Sequence, residues 1–265
     1  MPELHHQGSS SDILSTNSGA CGQDNSVTSL ASSFKGKVKI EEKHGNNENQ
    51  PDQKKEVKVE IGGKTKSTGG KNSKKNQPSA NMDLIQREIT RAKEGAKQRL
   101  NFQKTNMTSL PASIKDVLTL TELYLNSNRL ATLPNEIGCL TNLTTLALNE
   151  NVIISLPDSM ANLQKLNILD LRHNRLTEIP SGVYQLQNLV TLYLRFNRIR
   201  EVGEDIGNLR RLATFNMREN NISSLPGSIG KLERLEALDL SYNQLDHLPP
   251  ELGQCRKLNS IDVQQ

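Results

Sequence analysis

The sequence predicts an α/β solenoid, in which short parallel strands stack into a curved sheet behind an amphipathic helix and a long polar tail. Six units follow one another in register from residue 120 onward. One asparagine of each unit recurs every 23 residues, at Asn128, Asn151, Asn174, Asn197, Asn220 and Asn243. A weaker unit with Thr105 in the asparagine position precedes them, and a further unit starts at "LNSIDV". Self-similarity at a fixed period of this length is typical of a stacked array of repeats.

Each unit follows the template L-x-x-L-x-L-x-x-N-x-L-x-x-L-P-x-x-I-x-x-L, which is a leucine-rich repeat. The L-x-L pair is consistent with a short strand whose leucines point inward, and stacked units place parallel strands about 4.8 Å apart. The asparagine lies where the chain leaves the strand, so its amide can hydrogen-bond backbone groups of neighbouring turns. We therefore predict a leucine-rich-repeat solenoid over 100–265, a horseshoe with the parallel sheet on its concave face.

Residues 81–99 are predicted to form an N-terminal cap over the open end of this array. An amphipathic helix over 82–97 is indicated by apolar residues at helical spacing, namely Met82, Ile85, Ile89 and Ala92. Asn81 is suited to the N-cap, and Asp83 would lie in the first turn, where a negative charge is favourable.

The other end of the sequence carries no comparable cap. The chain stops at "IDVQQ", inside a predicted strand. We therefore expect a C-terminally truncated array with its C-terminal cap absent. The apolar residues expected to face solvent are Leu258, Ile261 and Val263.

The first eighty residues are predicted to be disordered. Phe34 is their only aromatic residue, and Ser, Lys, Asn, Gln and Gly dominate. Between Lys35 and Lys75 lie twelve lysines against six acids, with no arginine. Such a segment cannot bury enough apolar surface to offset the entropy lost on ordering.

Charge and hydropathy exclude several classes of protein. The net charge is +4, and residues 1–80 account for +3 of it, so the repeats lack the concentrated basic footprint of a nucleic-acid-binding domain. No apolar run approaches the roughly 18 residues needed for membrane insertion, and no signal peptide is visible. The three widely separated cysteines fit a reducing compartment. We predict a cytoplasmic protein. The Lys74-Lys75 pair fits a solvated lysine run better than a weak nuclear-import signal, which is the alternative.

Functional residues are expected among the positions that vary between units, mainly the outward strand positions of the concave face. Arg172, Arg195 and Arg218 form a column on three adjacent strands. Arginine forks beside aromatic anchors are typical of protein–protein hot spots. Solvent and the flanking acids could instead neutralise the column. The candidate partner-binding residues are Tyr124, Asp170, Arg172, His173, Arg175, Tyr193, Arg195, Phe196, Arg198, Arg218 and Glu219.

Catalytic and metal-binding motifs are not indicated. His173 and His247 are isolated, no serine lies in a nucleophile elbow, and no Cys/His set has the spacing of metal ligands. The segment "GGKTKS" ends like a phosphate-binding loop, but Lys58 occupies the place of the required first glycine. We predict a non-enzymatic protein without a cofactor.

Across about 80–265 the sequence resembles the Shoc/Sur-8 family of leucine-rich-repeat scaffolds in Ras–Raf signalling. The resemblance rests on "LTELYLNSNRL", "LPDSMANLQKL", "LDLRHNRLTEIPSGVYQL", "TLYLRFNRI", "RENNI" and "HLPPELG". It implies a scaffold whose concave face joins a GTP-bound Ras-type GTPase to the catalytic subunit of protein phosphatase 1. That complex would dephosphorylate Raf kinases and promote MAP-kinase signalling. The residues matching concave contacts of the family are Tyr124, Asp170, Arg172, His173, Arg195, Arg198 and Arg218.

The family resemblance also extends to the tail, where members carry a valine and an aromatic residue two positions apart that dock the phosphatase. The candidate segments are "KVKI", with Val38 and Ile40, and "VKVEI", with Val57 and Val59. An aliphatic residue replaces the aromatic in both. An uncommitted disordered tract is the alternative interpretation of these segments.

Two other functions remain open from the sequence. A leucine-rich-repeat adaptor of the polarity or adhesion kind would use the same concave face for an unrelated protein. A regulatory repeat array would precede a catalytic domain beyond residue 265. Domains that follow the repeats in a longer transcript would distinguish these alternatives from a scaffold.

Overall fold

The computed structural model describes residues 78–264, which form one helix, eight strands and seven short 3-10 helices. The helix α1 spans Pro78–Glu94. The strands are β1 Arg99–Asn101, β2 Glu122–Tyr124, β3 Thr145–Ala147, β4 Ile168–Asp170, β5 Thr191–Tyr193, β6 Thr214–Asn216, β7 Ala237–Asp239 and β8 Ser260–Asp262. The 3-10 helices are η1 Ala112–Asp116, η2 Asn135–Cys139, η3 Asp158–Asn162, η4 Ser181–Gln185, η5 Glu204–Asn208, η6 Gly227–Lys231 and η7 Pro250–Gln254.

All eight strands belong to one parallel sheet in sequence order. Residues 23 positions apart are paired across neighbouring strands, as in Leu146 with Leu169 and Leu169 with Leu192. The register is constant because every unit has the same length, so each inward leucine packs on its equivalents. This sheet, with the 3-10 helices on the opposite side, confirms the predicted solenoid.

The core is a continuous apolar layer between the sheet and the 3-10 helices. The inward strand residues are inaccessible to solvent in nearly every unit. In the unit that contains β6, Phe215 replaces the leucine within the strand and Met217 replaces the leucine directly after it. Ile137, Met160 and Ile229 on the 3-10 helices close the layer from the convex side. Burial of this kind stabilises the fold by about 25 cal/mol per Å² of apolar surface.

The repeated asparagine forms the predicted ladder between turns. In Asn174, the side-chain amide donates to the carbonyls of Leu148 and Leu171, each at 3.0 Å. Its Oδ1 atom accepts the backbone N–H of Ile153 at 3.0 Å. The same pattern recurs at the other ladder asparagines, so each one satisfies backbone groups of its own turn and of the preceding one.

The N-terminal helix covers the first units, but its bounds differ from the prediction. It begins at Pro78, because proline's fixed φ suits a first helical position, and it ends at Glu94. Asn81 therefore lies inside the helix and is not its N-cap; its side-chain amide donates to the carbonyl of Thr105. Ile85 and Ile89 are buried, whereas Met82 is only half-buried. Among residues 78–264 no helix is long and apolar enough to cross a membrane.

The expectation that three apolar residues near residue 260 face solvent was wrong. Leu258 and Ile261 are 8% and 6% exposed. Val263 is partly buried against the same core. An inward residue packs against the preceding unit as well as the following one, so contact on one side suffices to bury these side chains.

The convex layer has one irregular junction, between η4 and η5. Tyr184 occupies a position that is glycine or alanine in the other units from residue 120 onward, and its ring is buried. Gly203 stands where most other units have proline, and its backbone N–H donates to the Tyr184 hydroxyl at 2.9 Å. Burial raises the pKa of Tyr184. The two departures from the template are therefore complementary.

We expect Tyr184→Phe to lower the free energy of unfolding by about 1–2 kcal/mol, because the N–H of Gly203 loses its acceptor. Gly203→Pro alone should also destabilise the protein, because a Cβ atom there would lie 3.2 Å from the tyrosine hydroxyl. The double variant removes both the Gly203 N–H and the Tyr184 hydroxyl. Its loss of unfolding free energy should therefore be smaller than the sum of the losses in the two single variants. Urea denaturation of the four proteins measures this coupling; additive losses would contradict it.

Candidate functional site

The concave face is built from side chains at and just after each strand. Asp170 pairs with Tyr193 across β4 and β5, and Tyr193 pairs with Asn216 across β5 and β6. The backbone N–H of His173 donates to the carbonyl of Arg195, and that of Phe196 to the carbonyl of Arg218, each at 3.0 Å. The predicted arginine column is thus adjacent in space, one arginine per turn.

The residue before each ladder asparagine has a left-handed backbone. Glu150, His173, Phe196, Glu219 and Tyr242 have φ between 52° and 56°. This conformation is unfavourable for non-glycine residues, and it is held here by the hydrogen bonds of the turn. It brings the rings of His173 and Phe196 together, with centroids 4.3 Å apart and planes inclined by 16°.

Asp170 and Arg172 form a closed ion pair. The guanidinium donates from Nε to Oδ1 at 2.8 Å and from Nη2 to Oδ2 at 2.6 Å, and the Arg172 backbone N–H donates to Oδ1 at 3.1 Å. The hydrogen bond to Asp170 raises the pKa of Arg172. The guanidinium carbon also lies 5.2 Å from the centre of the Tyr193 ring. This first arginine of the column is therefore neutralised within the protein.

Arg218, the third arginine of the column, is more loosely neutralised. Its Nε lies 3.5 Å from a carboxylate oxygen of Glu219, and both side chains are about a third exposed. Its guanidinium carbon lies 4.5 Å from the centre of the Tyr242 ring. The contact is open enough for a partner to compete for either group.

Arg195, between these two, has no ion-pair partner among residues 78–264. Its Nε is buried and makes no hydrogen bond within that range. Partial burial lowers the pKa of Arg195, and the positive charges of Arg172 and Arg218 lower it further. A buried guanidinium donor without an acceptor is costly unless a ligand supplies one. The centre of the column is therefore suited to a carboxylate or phosphate oxygen.

The remaining candidates fall into three groups. His173 lies beside the column, and burial together with the Arg195 charge lowers its pKa. Arg175 and Arg198 are exposed on the turn beyond the ladder asparagines, and no described ion pair joins them to the column. Val38, Ile40, Val57 and Val59 lie outside the residues that the structure describes.

Tyr124 belongs to a separate cluster near the first unit. Its hydroxyl donates to Glu122 at 2.9 Å, and the Arg99 guanidinium carbon lies 4.7 Å from its ring centre. Burial raises the pKa of Tyr124. Sequence reasoning missed Arg99 and Glu122. Aligning the irregular first unit with the template would have placed Arg99 opposite Glu122, as the register does.

The sequence matches known repeat families over most of the described residues. A leucine-rich repeat region matches residues 138–215, overlapping leucine rich repeat matches cover 187–245 and 210–264, and a further one covers 119–140. Together they run from residue 119 to residue 264. A "Leucine-rich repeat protein soc-2 homolog" of Nematostella vectensis is 43% identical over 83 residues, or 31% of this chain and 14% of that protein.

Solved structures support the same fold. A leucine-rich-repeat protein of Leptospira interrogans is 36% identical with a TM-score of 0.61, covering 62% of this chain and 42% of that one. The ectodomain of the plant receptor kinase GASSHO1/SCHENGEN3 from Arabidopsis thaliana, solved with CASPARIAN STRIP INTEGRITY FACTOR 2, is 32% identical with a TM-score of 0.53. It covers 59% of this chain and 20% of that one. The chain matches less than half the length of each of these relatives. The repeats, their sheet and their neighbours agree, and the chain belongs to the leucine-rich repeat family.

Proposed function

We propose that this protein is a non-enzymatic scaffold in Ras/MAP-kinase signalling. Its concave face would bind a GTP-bound Ras-type GTPase and the protein phosphatase 1 catalytic subunit, and so promote dephosphorylation of Raf. Leucine-rich repeats are typically interaction modules, and similarity to a soc-2 homolog favours this family of scaffolds. The single observation that carries the proposal is the unpaired guanidinium of Arg195 at the centre of the column.

The column offers a partner one unsatisfied cation and two that are already engaged. A carboxylate of the partner would accept from the part of the Arg195 guanidinium that reaches solvent, without first breaking an internal ion pair. Phe196 and Tyr193 flank this position, and aromatic side chains beside arginine are typical of binding hot spots. Asp170 keeps Arg172 turned back toward β4, which prevents both arginines from competing for the same acceptor. In the tail, the segments containing Val38 and Val57 are the proposed phosphatase-docking elements.

We expect Arg195→Glu to abolish co-purification of active Ras and phosphatase, with an affinity loss of at least about 30-fold for a desolvated charge contact. The fold should survive, because a glutamate between Arg172 and Arg218 replaces repulsion with attraction. The matched control is Arg200→Glu, which changes an exposed arginine outside the column by the same charge. Affinity purification of the full-length protein, with circular dichroism as a folding check, measures both effects.

The outcome also separates the alternatives. Retention of both partners by a folded Arg195→Glu variant would refute the role of the column. A second outcome is that wild type captures an unrelated protein, and neither Ras nor phosphatase. If the Arg195→Glu variant then lost that protein, the result would support an adaptor of another pathway.

A further inference from the structure

A row of basic residues lies outside the concave face, along the edge where the chain turns into the strands. We call it the basic flank, and it consists of Lys165, Arg210, Arg211, Arg234, Arg256 and Lys257. All six are exposed and precede the strand by a few residues in four of the units. The repeat therefore places them side by side on one edge of the array.

Hydrogen bonds between equivalent positions establish this adjacency. Lys165 donates to Asn142 Oδ1 at 2.8 Å, and Arg211 donates to Asn188 Oδ1 at 2.6 Å, each across one unit of 23 residues. Asn142 donates in turn to the carbonyl of Leu118 at 2.9 Å. The side chains of successive turns are thus neighbours along this edge.

The charge of this edge is only partly compensated. Arg210 contacts Glu233 at 3.4 Å, in a pair whose side chains are 68% and 67% exposed. Among residues 78–264, none of the other five cations makes an ion pair. Glu233 and Glu236 are the acids on the same turns. The edge therefore carries a net positive charge, although the repeats as a whole are nearly neutral.

Two large aliphatic side chains are exposed on the same edge. Leu118 is 57% exposed and adjoins Asn142, and Val190 is 38% exposed between Asn167 and Ala213. Exposed aliphatic side chains beside lysines and arginines are typical of surfaces that rest on anionic lipid. A surface for single-stranded nucleic acid would instead carry aromatic residues for base stacking. Here the tyrosines and phenylalanine that carry arginine contacts lie on the concave face.

We propose that the basic flank is a docking surface for an anionic phospholipid bilayer. The cations would contact headgroups, and Leu118 and Val190 would enter the interface. The concave face would remain open at the side of the docked array, because none of its column residues belongs to the flank. This inference does not depend on the identity of the concave partners.

The test is co-sedimentation of the full-length protein with vesicles of two compositions. One is phosphatidylcholine alone, and the other contains about 30 mol% phosphatidylserine, an anionic level sufficient for surface attraction. The flank variant carries Arg211→Glu, Arg234→Glu and Lys257→Glu. The matched control carries Lys115→Glu, Arg129→Glu and Arg200→Glu, which alter the net charge equally at exposed positions outside the flank. Because one basic residue contributes roughly a fivefold change in partitioning, we expect the flank variant to lose anionic-vesicle binding by at least about 100-fold. The control should retain most of it.

Equal losses in both variants would show that net charge alone drives binding and would overturn the proposal. Unchanged binding in both, which assigns attachment to the lysine-rich tail, would overturn it as well. So would the absence of wild-type binding, or capture of polyglutamate without vesicle binding. If the flank variant fails to fold by circular dichroism, the corresponding glutamine substitutions provide the same comparison with a smaller charge change.

Discussion

Asn220→Ala should lower the free energy of unfolding by about 3–5 kcal/mol, a large effect for the loss of one polar side chain. The side chain donates to the carbonyls of Leu194 and Met217 at 3.0 and 2.9 Å, and its Oδ1 accepts the N–H of Ile199 at 3.0 Å. Alanine leaves these buried backbone groups without their hydrogen-bond partners. Urea denaturation followed by circular dichroism measures the loss.

Asn221→Ala is the matched control for this ladder position. The two asparagines are consecutive, but Asn220 is 7% exposed and Asn221 is exposed on the turn. The same substitution should therefore cost less than about 0.5 kcal/mol at Asn221. If both variants unfolded at the same urea concentration, the ladder would not be a principal source of stability.

Phe215→Ala should cost about 3–5 kcal/mol, because it empties the centre of the core. Phe215 is inaccessible to solvent and lies in β6 between Leu192 and Leu238 of the neighbouring strands. Solenoid units are stabilised by their nearest neighbours, so the cavity weakens the contacts of β6 on both sides. The free energy of unfolding from urea denaturation is again the measurement.

Phe215→Leu provides the comparison for this cavity, because leucine is the template residue at this position. It should cost less than about 1.5 kcal/mol if the neighbouring leucines move in to fill the space. A loss as large as that of the alanine variant would contradict this, and would indicate that the ring itself sets the spacing of the units.

The fold could be predicted because one constraint recurs in every unit. A fixed interval of 23 residues between Asn151, Asn174 and Asn197 requires equivalent residues to stack. An inward leucine on either side of each outward residue fixes which face is buried. The parallel register follows directly, since any slip of one residue would turn the leucines toward solvent.

The ends and the irregular junction could not be predicted in the same way. The helix begins at Pro78, before the first residue of the apolar helical pattern, because proline suits a first helical position. Leu258 is buried by the preceding unit, a contact that local sequence preferences do not report. The partnership of Tyr184 with Gly203 joins residues 19 positions apart, outside the repeat interval. Each residue on its own is simply a departure from the template.

The candidate site also has one part that the sequence predicts and one part that only the tertiary structure decides. The sequence by itself determined that Arg172, Arg195 and Arg218 stand on adjacent turns, because the repeat interval of 23 residues places equivalent positions of successive units in one column. Only the tertiary structure decided how their charges are distributed. Asp170 engages Arg172, Glu219 lies near Arg218, and Arg195 is left with a buried donor and no acceptor among the described residues. The physical reason is that periodicity fixes which residues are neighbours, whereas side-chain conformation and burial decide which of those neighbours pair.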